Sequence, residues 1–125
     1  MKSEMDECPF CEHSTFLLEN DLAFARLDKY PVSEGHLLVC PRRHFADFFD
    51  ASKAERNAIF SLIDEAKELT DKTLDPQGYN IGINCGEAAG QTVMHLHVHL
   101  IPRYHGDMPD PRGGVRGVIP EKQKY

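Results

Sequence analysis

The spacing of apolar and polar residues changes period several times along this chain, and each change marks an element. Residues 15–19, Thr-Phe-Leu-Leu-Glu, predict a short strand, and Asn20-Asp21 is a turn signal. Leu22 to Asp28 predicts a second strand that closes a hairpin with the first. Pro31 and Gly35 break the chain, and His36-Leu37-Leu38-Val39-Cys40 predicts a third strand stopped by Pro41. Residues 52–74 turn to helical spacing. Ile59, Leu62, Ile63, Ala66 and Leu69 form one apolar stripe, with Asp64, Glu65, Lys67 and Glu68 on the other side. Ser52 and Glu55 have the spacing of a capping box, and Asp75-Pro76 with Gly78 ends the helix. Tyr79, Ile81 and Ile83 alternate with Asn80, Gly82 and Asn84, which predicts a fourth strand. After the loop Gly86-Glu87-Ala88-Ala89-Gly90, the alternation resumes at Met94 and predicts a fifth strand, antiparallel to the fourth. Beyond Tyr104 proline and glycine accumulate and predict an irregular tail. The expected fold class is α+β: an antiparallel sheet of about five strands, one long helix and a short C-terminal segment.

The fifth strand carries the candidate chemistry. His95, His97 and His99 alternate with Met94, Leu96, Val98 and Leu100. Strand geometry puts the imidazoles on one face and the apolar residues on the other, toward a core. Imidazoles are costly to bury unpaired, so a face lined with them points to use. Two uses fit. His-x-His on a strand is a common zinc geometry. The other is chemistry on phosphate, with one imidazole as nucleophile and its neighbours as acid and orienter.

Length and charge bound the rest. The chain of 125 residues has room for a single domain, residues 1–125, with its core over 8–104 and its tail over 105–125. There is no apolar stretch of membrane-spanning length, and the first residues are polar and acidic with no apolar run behind them. The expected location is the cytoplasm, away from a membrane. A net charge of −6 argues against a nucleic-acid surface but not against a small polyanion held locally. Arg112 and Arg116 stand beside glycines in the tail, where a surface loop and a polyphosphate contact are both open readings.

Of the four cysteines, Cys40 and Cys85 read as single inert thiols. Cys8-Pro9-Phe10-Cys11 reads as half of a tetrahedral zinc site; a thioredoxin-like redox motif is the alternative, although nothing before Cys8 resembles the strand that such a motif follows. His13, His44 and one of the strand histidines are the candidates for the other two ligands.

Gly90-Gln91-Thr92-Val93-Met94-His95-Leu96-His97-Val98-His99-Leu100-Ile101 resembles the signature of the histidine-triad (HIT) family. Phe24 through Pro41, with Pro31, Gly35, His36 and Leu37-Leu38-Val39, resembles the same family, and the likeness runs from Cys8 to Tyr104. Pro102-Arg103 and the His36 strand look closest to the Fhit-like dinucleoside polyphosphate hydrolases. The Cys-x-x-Cys is similar to that of bacterial members, although the helical insert many of them carry is absent.

The resemblance implies a HIT fold, a homodimer with a continuous sheet, and a nucleotide bound with its α-phosphate over the histidines. His97 would attack phosphorus and form a nucleotidyl intermediate, its tautomer fixed by a hydrogen bond from the other ring nitrogen to a backbone carbonyl. His99 would be the protonated partner of the leaving group, and His36 would support both from the neighbouring strand. Asn84, Thr92 and the Val93 N–H would contact phosphate and Asp28 the ribose hydroxyls. Gln91 belongs with the nucleotide-site loop, chiefly as the residue that orders it. A structural zinc would be held by Cys8, Cys11, His44 and His95. The implied function is hydrolysis or transfer at the α-phosphate of dinucleoside polyphosphates. A Hint-like phosphoramidase, a phosphorylase and a non-catalytic nucleotide- or metal-binding module are the alternatives.

Overall fold

The computed structural model describes residues 8–11 and 16–125. Its strands are β1 Leu18–Glu19, β2 Ala23–Leu27, β3 Leu37–Pro41, β4 Gly78–Ile83 and β5 Val98–Arg103. They form one sheet in the order β1-β2-β3-β5-β4, with every neighbouring pair antiparallel. A single α-helix among the described residues, α1 Lys53–Thr73, lies across one face. None of its length is apolar enough to cross a membrane.

The helix forms where the sequence predicts it. The Ser52 hydroxyl accepts from the Glu55 N–H (3.0 Å), and the Glu55 carboxylate accepts from the Ser52 N–H (2.9 Å), a complete capping box. Ile59, Leu62 and Ala66 are fully buried. They pack on Ala23, Ala25, Val39 and Val98, and on Leu37 and Leu100. Each fully buried Ile or Leu contributes roughly 1.5–3 kcal/mol of transfer free energy. At the far end, Gly35 takes a φ of +87°, and a Cβ there would meet Leu74 Cδ1 at 2.5 Å. Only glycine lets the β2–β3 turn pass so close to the end of the helix.

Strand alternation makes the sheet two-sided. Val98, Leu100 and Pro102 face the helix, which turns His99 and Arg103 to the opposite face. On that face Phe24, Leu38 and Cys40 cluster with Phe10 and Phe16. The site lies here, because α1 leaves this face open.

Four expectations need correction. Regular pairing of the first strand is confined to Leu18–Glu19, although the Leu17 N–H still donates to the Ala25 carbonyl (2.9 Å); Thr15 lies outside the described residues. Pro41 is the last residue of β3 rather than the residue beyond it, at an end where its missing N–H costs nothing. β5 begins only at Val98, so His95 and His97 precede the strand; the Leu96 N–H donates to the Phe45 carbonyl (2.7 Å) instead of to a sheet neighbour. Met94 is accordingly 44% exposed, not core. The tail is also less irregular than expected: Gly114–Val118 and Pro120–Lys122 are short 3₁₀ helices.

Candidate active site and metal centre

Two clusters are built from one histidine segment. The first is inward. Cys8 and Cys11 sit in a turn closed by the Cys11 N–H on the Cys8 carbonyl (3.2 Å), which aims both thiols the same way. His44 comes from the loop after β3, and His95, with no exposed surface, from the segment before β5. The Cys8 and Cys11 Sγ atoms lie 3.5 and 3.4 Å from His95 Nδ1. His44 Nδ1 lies 3.2 Å from Cys11 Sγ and 3.1 Å from His95 Nδ1. Tetrahedral zinc with bonds of about 2.0–2.3 Å sets its donors roughly 3.3–3.8 Å apart, so these four fit a metal with slight expansion.

Hydrogen bonding sets the ligand atom. His95 Nε2–H donates to the Pro41 carbonyl (2.8 Å), so the lone pair is on Nδ1, facing the cluster. Burial pushes the His95 pKa down, and burial with the neighbouring Cys8 pushes the Cys11 thiol up to about 11. Neutral imidazole is ready to ligate, whereas the thiol needs a cation to become thiolate. Cys8, Cys11, His44 and His95 can therefore hold a metal. His13 lies outside the described residues.

The second cluster opens on a cavity of about 330 Å³ lined by Asp28, Asn84, Thr92, Val93, His97 and His99. Antiparallel pairing of β4 with β5 sets Gly82 opposite His99 and so brings Asn84 alongside. His97 Nδ1–H donates to the His95 carbonyl (2.8 Å), leaving the Nε2 lone pair free. The edge of the Phe10 ring packs against His97, with centroids 4.9 Å apart.

A chain of donors sets the next imidazole. The Val32 N–H donates to His36 Nδ1 (3.1 Å). His36 Nε2–H then donates to His99 Nδ1 (2.9 Å), with Asp28 Oδ2 a second acceptor at 3.5 Å. This leaves His99 with its proton on Nε2. The expectation of a protonated His99 is corrected here. Burial, reinforced by His97 and His36, pushes its pKa down to about 4, so at neutral pH it donates as a neutral imidazole. Burial also lowers His36, against the pull of Asp28.

Gln91 does not line this cavity. It is buried, its carbonyl accepts from the Gly86 N–H (2.9 Å), and its amide donates to the Ala46 (3.0 Å) and Val93 (3.1 Å) carbonyls. It holds the loop that presents Thr92 and Val93, so its expected place among the nucleotide contacts gives way to the ordering role. Cys40 is fully buried and burial raises its pKa, which makes it inert. His105 is exposed. Arg116 donates to the Lys122 carbonyl (3.0 Å) and packs on Tyr125, within the tail.

Sequence reasoning missed Phe10, Leu38 and Arg26 as cavity residues. Arg26 had a legible signal: a lone charge inside the apolar strand Ala23-Phe24-Ala25-Arg26-Leu27. Phe10 had none, since only folding brings the Cys-x-x-Cys turn over His97.

The match to known proteins decides the family: the HIT domain covers residues 11–106. The chain belongs to the HIT domain family. An AP-4-A phosphorylase of Mycobacterium tuberculosis is 33% identical over 97 residues, 77% of this chain and 50% of that protein. The asymmetrical bis(5'-nucleosyl)-tetraphosphatase of Schizosaccharomyces pombe is 35% identical over 89 residues, 71% of this chain and 49% of that protein. The chain thus spans about half the length of each. A zinc-bound histidine triad protein of Mycobacterium smegmatis has a similar structure, with a TM-score of 0.75 and 30% identity, covering 86% of this chain and 82% of its own.

Proposed function

We propose that this HIT protein cleaves dinucleoside polyphosphates at the α-phosphate through a nucleotidyl intermediate on His97. The observation that carries the reading is the His97 tautomer: Nδ1–H is committed to the His95 carbonyl and Nε2 is free at the cavity. Nε2 attacks the α-phosphorus, and the bond from phosphorus to the bridging oxygen breaks. His99 Nε2–H donates to that oxygen as charge develops on it. The His95 carbonyl strengthens its hold on Nδ1–H as the ring becomes cationic. Water then cleaves the phosphorus–nitrogen bond and releases the mononucleotide. Asn84, Thr92 and the Val93 N–H hold phosphate oxygens, Asp28 accepts from the ribose hydroxyls, and His36 keeps His99 in its donor tautomer.

Zinc is the metal this reading assigns to Cys8, Cys11, His44 and His95. Held by four protein ligands, it would have no open position, and Cys8, Cys11, His44 and His95 would brace the segment leading to His97 around it. A homodimer through the β4 edge also belongs to the reading, since an uncovered edge strand needs pairing or protection.

The phosphorylase relative supports a second reading, in which phosphate replaces water as the acceptor. Chromatography of products separates these. Wild type and His97→Asn are given diadenosine polyphosphates and adenosine phosphoramidate, with and without phosphate. AMP from the polyphosphates with wild type alone fits hydrolysis. ADP that appears only with added phosphate indicates phosphorolysis. Preferential cleavage of the phosphoramidate moves the protein to the Hint-like reaction, and no turnover of either substrate or of its guanosine counterpart overturns the enzyme reading.

A further inference from the structure

Arg26 is a cation lining the cavity that pairs with no carboxylate among the described residues. It is 6% exposed. Its one hydrogen bond among the described residues runs from Nη1 to the Pro9 carbonyl (3.0 Å). None of the ion pairs among the described residues includes it. Its Nε and Nη2 make no hydrogen bond among the described residues, and neither is a buried atom left without a partner. Arg26 lines the cavity together with Phe10, Leu38 and Asp28. Buried charge is ordinarily paired, and a guanidinium left with a free donor edge suits a ligand that brings two acceptors.

The strand register says which part of a ligand arrives there. Arg26 pairs with Leu38, and Leu38 with His99. Arg26 thus stands two strands, roughly 10 Å, from His99. Asp28 lies two residues along the same face. A nucleotide with its phosphorus at His97 and its ribose at Asp28 carries its base to Phe10, Leu38 and Arg26. The Arg26 guanidinium lies over the Phe10 ring, 5.6 Å from its centroid, and the two side chains together form part of the cavity wall.

We propose that Arg26 selects a 6-oxopurine, guanine or hypoxanthine, over adenine, through its Nε and Nη2 donors. A 6-oxopurine shows two adjacent acceptors, N7 and O6, which match the fork. Adenine sets an amino group where O6 would be, and that group faces a donor. The inference rests on the proposed function for the placement of phosphate and ribose, but not on turnover.

Titration calorimetry of the full chain with GMP, IMP, 7-deaza-GMP and AMP tests it. GMP and IMP should bind about ten- to a hundredfold tighter than AMP, and 7-deaza-GMP should lose most of that advantage. Arg26→Met should collapse the GMP-to-AMP ratio to near one, and Arg26→Lys, a point charge without the fork, should leave a reduced ratio. Because the nucleotide series is read on wild type, poor folding of either variant leaves the test intact. Equal binding of GMP and AMP by wild type overturns the proposal alone, as does an equal loss of both in Arg26→Met. Failure of every nucleotide to bind overturns the proposed function with it. Selective GMP binding without turnover of any dinucleotide sustains the base-reading role and removes the catalytic one.

Discussion

His95 and His97 are two residues apart and present opposite ring nitrogens to two different clusters. His95 gives its Nε2–H to the Pro41 carbonyl and offers Nδ1 to Cys8, Cys11 and His44. His97 gives its Nδ1–H to the His95 carbonyl and offers Nε2 to the cavity. One is fully buried and the other is open to a ligand. The side chains are chemically identical, so the carbonyl that each one meets selects the atom left reactive. The two sites are also joined through the chain, since the carbonyl that sets His97 belongs to His95, a member of the cluster with Cys8, Cys11 and His44.

The sharpest way to break this comparison is to remove one side at a time. His97→Asn should lower turnover by about 10³-fold or more while nucleotide binding persists. Turnover equal to wild type would take the nucleophile role from His97. Cys11→Ser should strip the metal and lower Tm by roughly 10 °C, a loss of about 3 kcal/mol. Metal analysis of the wild type is its control, and a protein purified without zinc and without the Tm difference would end the idea of a structural centre. Asp28→Ala should weaken ribonucleotides about tenfold relative to deoxyribonucleotides, the scale of a charged hydrogen bond. An equal effect on both sugars would remove the ribose role.

The smallest expected effect serves as a reference, at a helix cap whose residues belong to neither cluster. Ser52→Ala should cost about 1 kcal/mol, read as a Tm lower by roughly 3–4 °C, with turnover unchanged. The pH profile of stability carries a matching signature. The bond from Arg43 holds the Glu55 carboxyl below its ordinary value of 4.5. Its stabilisation is therefore present above pH 4.5 and is lost as the pH falls through the lower, folded value. Glu55→Gln should flatten that part of the acid-unfolding curve.

Much of the architecture was legible because it rests on local periodicity. The stripe Ile59, Leu62, Ala66 and the Ser52–Glu55 box fixed the helix, and alternation located all five strands to within a few residues. The ends were less legible where a long-range partner decides them. β5 starts late because the Leu96 N–H is taken by Phe45, a residue far away in sequence. Met94 followed the alternation and still lies at the surface, because the backbone there is not in a strand.

The sequence by itself determined that His95, His97 and His99 alternate with core residues, that a Cys-x-x-Cys stands ready for a metal, and that the chain resembles the HIT family. Those are statements about residue type and spacing. Only the tertiary structure decided which ring nitrogen each histidine offers, that burial lowers the His99 pKa, that Gln91 braces a loop, and that Arg26 lines the cavity. Tautomer, pKa and pairing depend on the groups within hydrogen-bond reach and on how much water remains. Both are set by packing between segments that lie tens of residues apart.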